Sequence, residues 1–381
     1  MAGTFESRYT SLVELFYAQG AKHPLGGSSL AVYKDGREVV NVWQGNATAD
    51  LPWQQNTISD VFSCTKGIIS VIAARLVDQD LLDLNERVSV YWPEFAAAGK
   101  AEITVAMLLQ HKAGLSAPRR DLTHEQALDR DYVIAELASQ EPLWAPGTIH
   151  GYHALTFGHL VSKLIEAVTG LTVGQYLQKN IAGPLAADMW IGLPTEQLGR
   201  VATLISDGGF QSSNPDHGTD AYWVEKAMTF GGAFPPDPTL PGGFNDAETL
   251  AAELAGANGV TNARGLARIY SAAVTETEGI RLVSDETLKT ACMPASFGEN
   301  VWHEPGPYPV WGNGFMLNSL RTNTPGANGF GHDGLGGQAG WGSLEHRLGF
   351  GYTTNFLKST EETQANQQEL VAELNRILIK V

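Results

Sequence analysis

Residues 63–78 read SCTKGIISVIAARLVD, a Ser-x-x-Lys tetrad that runs directly into an apolar segment. The apolar segment predicts a helix over 63–78, and on a helix Ser63 and Lys66 lie on the same face. A serine hydroxyl is a poor nucleophile until a base takes its proton, which a buried, neutral amine can do. Because N–H groups at a helix N-terminus favour developing negative charge, the tetrad is suited to acyl transfer.

The tetrad by itself also fits an ordinary structure, in which Ser63 caps a helix and Lys66 is solvated. Two residue types at a fixed spacing recur by chance in a chain of 381 residues. The acyl-transfer interpretation therefore depends on what the rest of the chain supplies.

Composition limits the size, the partners and the compartment of the protein. The chain is long enough for one large domain or two ordinary ones. Asp and Glu number 41 against 25 Lys and Arg, and the net charge of −16 predicts neither nucleic acid nor membrane as a partner. The N-terminus shows no basic segment followed by an apolar one, which predicts no secretory signal and a cytoplasmic location.

The order of periodic segments predicts an α+β fold. Residues 29–43 read as a hairpin around an Asp35-Gly36 turn, and strands recur between 312 and 354. Strands joined by hairpins imply an antiparallel sheet, here flanked by terminal helices and interrupted by an inserted, mainly helical domain. The predicted ranges are 1–79 and 300–381 for the sheet domain and 80–299 for the helical domain.

A long loop is predicted at 207–247, where Gly, Pro and aromatic residues are interspersed. Unstructured stretches of this length in a compact domain are usually functional or mobile. We expect its aromatic part, residues 222–244, to line the acyl or the alcohol pocket of an active site.

Two further motifs bear on chemistry. The sequence WAPG at 144–147 precedes Tyr152, whose phenol could relay protons or could be a buried structural group. The Gly-rich stretch GHDGLGG at 331–337 could bring a second N–H to an oxyanion, or could simply connect two strands.

Other patterns in the sequence could suggest a cofactor site, a metal site or a disulfide framework, and each has an observation against it. Residues 329–334 match G-x-G-x-x-G, but neither a preceding strand nor a following helix is predicted, which disfavours a dinucleotide site. His150, His153 and His159 fit no zinc spacing, so no metal and no cofactor are predicted. The chain has two cysteines, too few for a disulfide framework, and we interpret Cys64 as a packed residue beside Ser63.

In their order along the chain, these motifs resemble the penicillin-recognising serine enzymes. This superfamily includes class C β-lactamases, DD-peptidases and family VIII carboxylesterases. The resemblance covers roughly residues 25–355, and its specificity lies in the order and spacing of the motifs. Its matching segments are SCTK at 63–66, LLQHKAGL at 108–115, WAPG at 144–147 with Tyr152, and HDG at 332–334.

The resemblance implies a class C β-lactamase-like fold and a role for each matching residue. Ser63 would be the nucleophile that carries the acyl group. Lys66 and Tyr152 would share the general-base and proton-return work, in an order that the sequence leaves open. The N–H groups of Ser63 and Leu335 would form the oxyanion hole, whereas His111 would be structural. The substrate-binding positions would be His332, Asp333 and Gly334.

Two departures from the family pattern concern the substrate. Residues 152–154 read Tyr-His-Ala where the family usually has Tyr-x-Asn, so an amide that would bind a substrate amide is missing. Residues 332–334 read His-Asp-Gly where β-lactamases usually have Lys-Thr-Gly, so a permanent ammonium is lost and an acid added. An uncharged ester needs neither anchor, whereas an unmatched substrate carboxylate near Asp333 would lose affinity.

The sequence therefore predicts a serine carboxylesterase that hydrolyses short-chain acyl or aryl esters through an acyl-enzyme on Ser63. The alternatives are a β-lactamase or DD-peptidase, and an amidase or acyltransferase on the same scaffold. A non-catalytic binding protein would have no need to retain Ser63, Lys66 and Tyr152 together. The expected partner is a small-molecule ester, and both a monomer and a homodimer remain open.

Overall fold

The computed structural model describes residues 2–359 and 362–379. The strands are β1 (Ala2–Phe5), β2 (Gly27–Lys34), β3 (Arg37–Gly45), β4 (Ser59–Asp60), β5 (Met189–Trp190), β6 (Ile205–Ser206), β7 (Val260–Thr261), β8 (Val310–Trp311), β9 (Met316–Leu317), β10 (Gly329–Asp333), β11 (Ala339–Ser343), β12 (Leu348–Thr354) and β13 (Phe356–Leu357). The α-helices are α1 (Thr10–Gly20), α2 (Cys64–Asp78), α3 (Val88–Tyr91), α4 (Val105–Leu109), α5 (His124–Leu128), α6 (Arg130–Ser139), α7 (Thr156–Thr169), α8 (Val173–Leu177), α9 (Asp220–Thr229), α10 (Ala247–Ala251), α11 (Ala263–Val274), α12 (Asp285–Ala291) and α13 (Glu362–Ile379).

An eight-stranded antiparallel sheet forms the centre of the fold, in the order β1-β3-β2-β12-β11-β10-β9-β8. The predicted hairpin is its β2–β3 pair, and Asp35 and Gly36 in the turn have φ of 50° and 77°. Two successive positive φ values are typical of a type I′ turn, whose twist matches that of the flanking strands. The sheet confirms the predicted α+β class.

Helices cover both faces of this sheet. Phe350 on β12 belongs to a core that also holds Phe16 of α1 and Leu374 of α13. Its neighbour Gly349 points to the opposite face, because side chains alternate along a strand. There α11 comes so close that a Cβ on Gly349 would lie 1.9 Å from the carbonyl oxygen of Ala267. The two layers fit because β12 alternates large residues with glycine.

The helix that carries Ser63 connects the sheet to the helical region. Helix α2 packs against β10 of the sheet on one side and against α7 on the other. Helix α11 falls within residues 80–299, the range predicted for the helical domain, and yet it packs on the sheet. The division into two domains stays a prediction, and its outer limits, residues 1 and 381, lie outside the described residues.

Two local features differ from the sequence-based expectation. The prediction of a loop throughout 207–247 is wrong for residues 220–229, which form α9. Thr219 caps that helix by accepting a hydrogen bond from the N–H of Tyr222, and flanking Gly and Pro turns mask it in the sequence. The G-x-G-x-x-G segment at 329–334, for which no strand is predicted, contains the fully buried strand β10, because pairing with β9 and β11 overrides the low strand propensity of glycine.

Among the described helices, none combines the length and the apolar character that crossing a bilayer requires. The cytoplasmic location inferred from the N-terminal sequence stays a prediction.

Candidate active site

Ser63 lies at the junction between a tight turn and helix α2. The preceding residue, Phe62, has φ of 46°, in the left-handed region that side chains rarely adopt. Its N–H donates to the Oδ1 of Asp60 at 2.8 Å, and its carbonyl accepts from the N–H of Thr65 at 2.9 Å. Strained residues of this kind cluster at functional sites, where the surrounding structure holds them. Here the turn leaves Ser63 half-buried at the entrance to the helix.

Lys66 lies one turn further along α2 and is completely buried. Its Nζ is 2.9 Å from the Oγ of Ser63 and 2.6 Å from the carbonyl oxygen of Gly256. Burial lowers the pKa of Lys66 to about 7, although the charge of Asp333 works in the opposite direction. A substantial fraction of the lysine is therefore neutral near pH 7 and able to accept a proton from the serine.

Tyr152 approaches the serine from the other side. Its phenol oxygen lies 2.8 Å from the Oγ of Ser63, and the Nζ of Lys66 is 4.9 Å from the centre of its ring. The ring stacks on Trp311 at 5.5 Å with an angle of 16° and packs against His111 at 5.2 Å. Burial raises the pKa of the Tyr152 phenol above its ordinary value, so the phenol stays protonated. A neutral phenol held here can pass a proton along a hydrogen-bonded chain.

The two predicted oxyanion donors are both available. The backbone N–H groups of Ser63 and Leu335 donate to no other residue in the described part of the chain. Leu335 lies in the turn between β10 and β11. A hydrogen bond from the N–H of Gly334 to the carbonyl oxygen of Gln338 closes this turn. A Cβ on Gly334 would lie 2.3 Å from the carbonyl oxygen of Val61, so glycine lets this turn pack against the segment before Ser63.

His332, which stands where the resemblance predicts a lysine, and its neighbour Asp333 are both buried. Burial lowers the pKa of His332 to about 3, so its imidazole is neutral near pH 7. Burial raises the pKa of Asp333 to about 6, while the charge of Arg321 and a hydrogen bond from Gln364 oppose that rise. Neither side chain can take the place of a permanent ammonium.

Ser63 and Leu335 lie at the boundary between two cavities. The larger cavity has a volume of about 670 Å³ and the smaller one about 240 Å³, and the linings of both are mainly apolar. Part of segment 222–244 lines the larger cavity, and its predicted role in binding the acyl or the alcohol group stays a prediction. The apolar lining of the larger cavity includes Phe62, Ala154, Phe210, Val224, Phe234 and Phe244. The lining of the smaller cavity includes Tyr152, Tyr308, Trp311, Arg321, His332, Asp333, Gly334 and Gln364.

Two groups at this site have no signal in the sequence. The carbonyl of Gly256 is a backbone group, and any residue type could supply it. Arg321 is a single basic residue between β9 and β10 that belongs to no motif. Both come to the site only through long-range packing, and a local pattern cannot reveal them.

Three other residues singled out in the sequence, Cys64, His111 and His153, have structural contacts. Burial raises the pKa of the Cys64 thiol, which makes it a poor nucleophile. His111 is buried and packs against the rings of Tyr152 and Trp311. His153 contacts the carbonyl of Gly151 through Nδ1 and accepts from the N–H of Leu115 through Nε2. Among the described residues, no three metal-ligating side chains gather into one group.

Known proteins match this chain over almost its whole length. The Beta-lactamase family description matches residues 12–374. The esterase/beta-lactamase LipL of Mycobacterium tuberculosis is 34% identical over 372 residues, which cover 94% of this chain and 83% of LipL.

Solved structures give the same pattern. The crystal structure of a family VIII carboxylesterase superposes with a TM-score of 0.87 at 31% identity, covering 98% of this chain and 99% of the other. A penicillin-binding protein homologue from Caulobacter crescentus gives the same TM-score at 30% identity, covering 98% and 99%. The similarity therefore extends through both the sheet and the helical region.

Proposed function

The chain belongs to the β-lactamase family, and from this premise we propose that it is a serine carboxylesterase that hydrolyses uncharged acyl or aryl esters. The observation that carries the proposal is the contact of Ser63 Oγ with both Lys66 Nζ and the Tyr152 phenol, at 2.9 and 2.8 Å. The similarity to the esterase/beta-lactamase LipL and to a family VIII carboxylesterase supports the same activity.

In the proposed reaction, neutral Lys66 takes the proton of Ser63 as Oγ bonds to the ester carbonyl carbon. The carbonyl oxygen becomes an anion that the N–H groups of Ser63 and Leu335 stabilise. Tyr152 passes the proton from the lysine to the alkoxy oxygen, the carbon–oxygen bond breaks, and the alcohol leaves. Water then attacks the acyl-enzyme by the same steps in reverse, which releases the acid and restores Ser63.

The charge of the site favours esters over anionic amides. His332 is neutral near pH 7, and Asp333 would repel a substrate carboxylate once it is ionised. Ala154 lines the larger cavity and offers no amide to a substrate side chain. Ser63, Lys66 and Tyr152 need neither a substrate-binding ammonium nor a substrate-binding amide to act on an uncharged ester.

The test is a comparison of wild type and Ser63→Ala on p-nitrophenyl acetate, p-nitrophenyl butyrate and a chromogenic cephalosporin. We expect ester turnover in the wild type, its loss in Ser63→Ala, and little cephalosporin cleavage. Cys64→Ser is the matched control, because it changes the adjacent buried thiol and should retain turnover. Ester hydrolysis that survives in Ser63→Ala would overturn the site assignment.

One observation favours β-lactam hydrolysis as a second candidate. Arg321 lines the smaller cavity and could pair with a substrate carboxylate in place of the missing lysine. Under this alternative, cephalosporin cleavage is efficient in the wild type and falls strongly in Arg321→Ala, whereas turnover of p-nitrophenyl acetate falls much less. Absence of cephalosporin cleavage in the wild type would dismiss the candidate.

A further inference from the structure

We infer that an ester binds in one orientation, with its acyl group in the larger cavity and its alcohol in the smaller one. The range of substrates then extends from the short-chain acyl esters expected from the sequence to esters of medium-chain or aromatic acids, provided that the alcohol is short. This inference rests on the proposed function and adds to it the sizes of the two halves of the substrate.

The position of Tyr152 fixes the direction. The leaving alkoxy oxygen must receive a proton, and the Tyr152 phenol is the proposed donor. Tyr152 lines the smaller cavity but not the larger one. An alkoxy oxygen beside that phenol therefore has its alcohol in the smaller cavity.

The oxyanion donors place the rest of the substrate. Ser63 and Leu335 line both cavities, so the carbonyl carbon that they hold lies at the boundary. A tetrahedral carbon with Oγ, the oxyanion and the alkoxy group already placed has one substituent left. That substituent is the acyl chain, and the space open to it is the larger cavity.

The two cavities match these two halves of the substrate in size. Phe62, Phe210 and Phe244 give the acyl side an apolar wall with about 670 Å³ of space. Each methylene of a chain buried there raises affinity about fourfold. On the alcohol side, Arg321 and Asp333 line a space of about 240 Å³. A long alkyl alcohol would desolvate these charged groups without forming a hydrogen bond to them.

Two isomeric esters test the orientation without changing overall hydrophobicity. Ethyl octanoate and octyl acetate share one molecular formula but have the long chain on opposite sides of the ester. We expect kcat/KM, measured by proton release, to be at least tenfold higher for ethyl octanoate. Equal values or the reverse preference would overturn the orientation while leaving the esterase intact. If ethyl octanoate, octyl acetate and p-nitrophenyl acetate are all left unhydrolysed, the proposed function fails as well.

Two variants locate the halves of the substrate directly. Val224 lines the larger cavity alone and Tyr308 the smaller alone. We expect Val224→Phe to lower the kcat/KM ratio of ethyl octanoate to ethyl acetate at least tenfold. Tyr308→Trp should instead lower the ratio of butyl acetate to ethyl acetate. The inference would be overturned if Val224→Phe lowered the alcohol-chain ratio and Tyr308→Trp lowered the acyl-chain ratio instead. If either variant fails to fold, the comparison of the two isomeric esters decides the orientation.

Discussion

The amine of Lys66 donates a hydrogen bond to the carbonyl oxygen of Gly256 across 2.6 Å. Gly256 lies between α10 and β7, and a Cβ on it would come within 2.6 Å of the carbonyl of Leu155. Close packing therefore fixes the carbonyl, which holds the lysine in one position beside Ser63. A buried amine that keeps this hydrogen bond can still accept a proton on its lone pair.

The first prediction concerns the pH dependence that this lysine imposes. Because the pKa of Lys66 is lowered to about 7, the neutral base is lost as the pH falls. We expect kcat/KM for p-nitrophenyl butyrate to decline below pH 7, about tenfold for each pH unit. Lys66→Arg should be inactive throughout, since a guanidinium stays protonated.

Lys100 provides the matched control for this pH profile. It is also completely buried, and its Nζ donates to the carbonyls of Ala97 and Gln140 away from Ser63. Lys100→Met should leave the midpoint of the profile in place. A profile that is flat between pH 5 and 9 in the wild type would contradict the role of Lys66 as base.

The second prediction separates Tyr152 from the lysine. Tyr152→Phe removes the hydroxyl that contacts Ser63 at 2.8 Å but keeps the ring that stacks on Trp311. We expect kcat to fall by roughly 10²–10⁴, with the decline below pH 7 retained because Lys66 causes it. Tyr132→Phe on α6 makes the same chemical change elsewhere. Loss of the pH dependence in Tyr152→Phe would assign the first proton transfer to the tyrosine.

Local signals in the sequence predict much of this fold. The Asp35-Gly36 turn predicts the hairpin of β2 and β3, and the apolar run after Ser63 predicts α2. Each depends on turn chemistry or helical periodicity within one short segment. The same holds for α7, where apolar residues recur at helical spacing. Sequence alone therefore predicts that Ser63 and Lys66 lie close together at the start of this helix, as they do.

The rest of the site depends on contacts between distant segments. Arg321 reaches the smaller cavity because β9 and β10 are adjacent, and Gly256 reaches Lys66 because its loop packs on α7. Strand β10 is rich in glycine and pairs through the sheet rather than by its own propensity. Such placements follow from tertiary packing, which overrides local preference.

The third prediction tests the oxyanion hole at Leu335. Leu335→Pro removes the free N–H at that position, whereas Leu335→Ala keeps it. We expect the proline variant to lose about 10²–10³ in kcat and the alanine variant far less. Turnover of p-nitrophenyl acetate and thermal unfolding of both variants would be measured together. Similar kcat values for two folded variants would show that the N–H of Leu335 does not stabilise the oxyanion.

The fourth prediction is that the acid in the smaller cavity reduces stability at neutral pH. Burial raises the pKa of Asp333 to about 6, so between pH 4 and 6 the folded state binds more protons than the unfolded state. The free energy of unfolding therefore falls as the pH rises through this window. Asp333→Asn cannot ionise and should be more stable than wild type by roughly 1–3 kcal/mol at pH 8, with the difference vanishing near pH 4.

Urea denaturation at pH 4 and pH 8 would measure this difference, with Asp50→Asn as the control at an exposed aspartate. The side chain of Gln364 can still donate to the amide oxygen that Asp333→Asn introduces, so the hydrogen bond itself is not lost. A less stable Asp333→Asn at pH 8 would mean that Arg321 holds Asp333 ionised. The smaller cavity would then contain an ion pair between Asp333 and Arg321. Its wall would be more polar than it is when Asp333 is protonated.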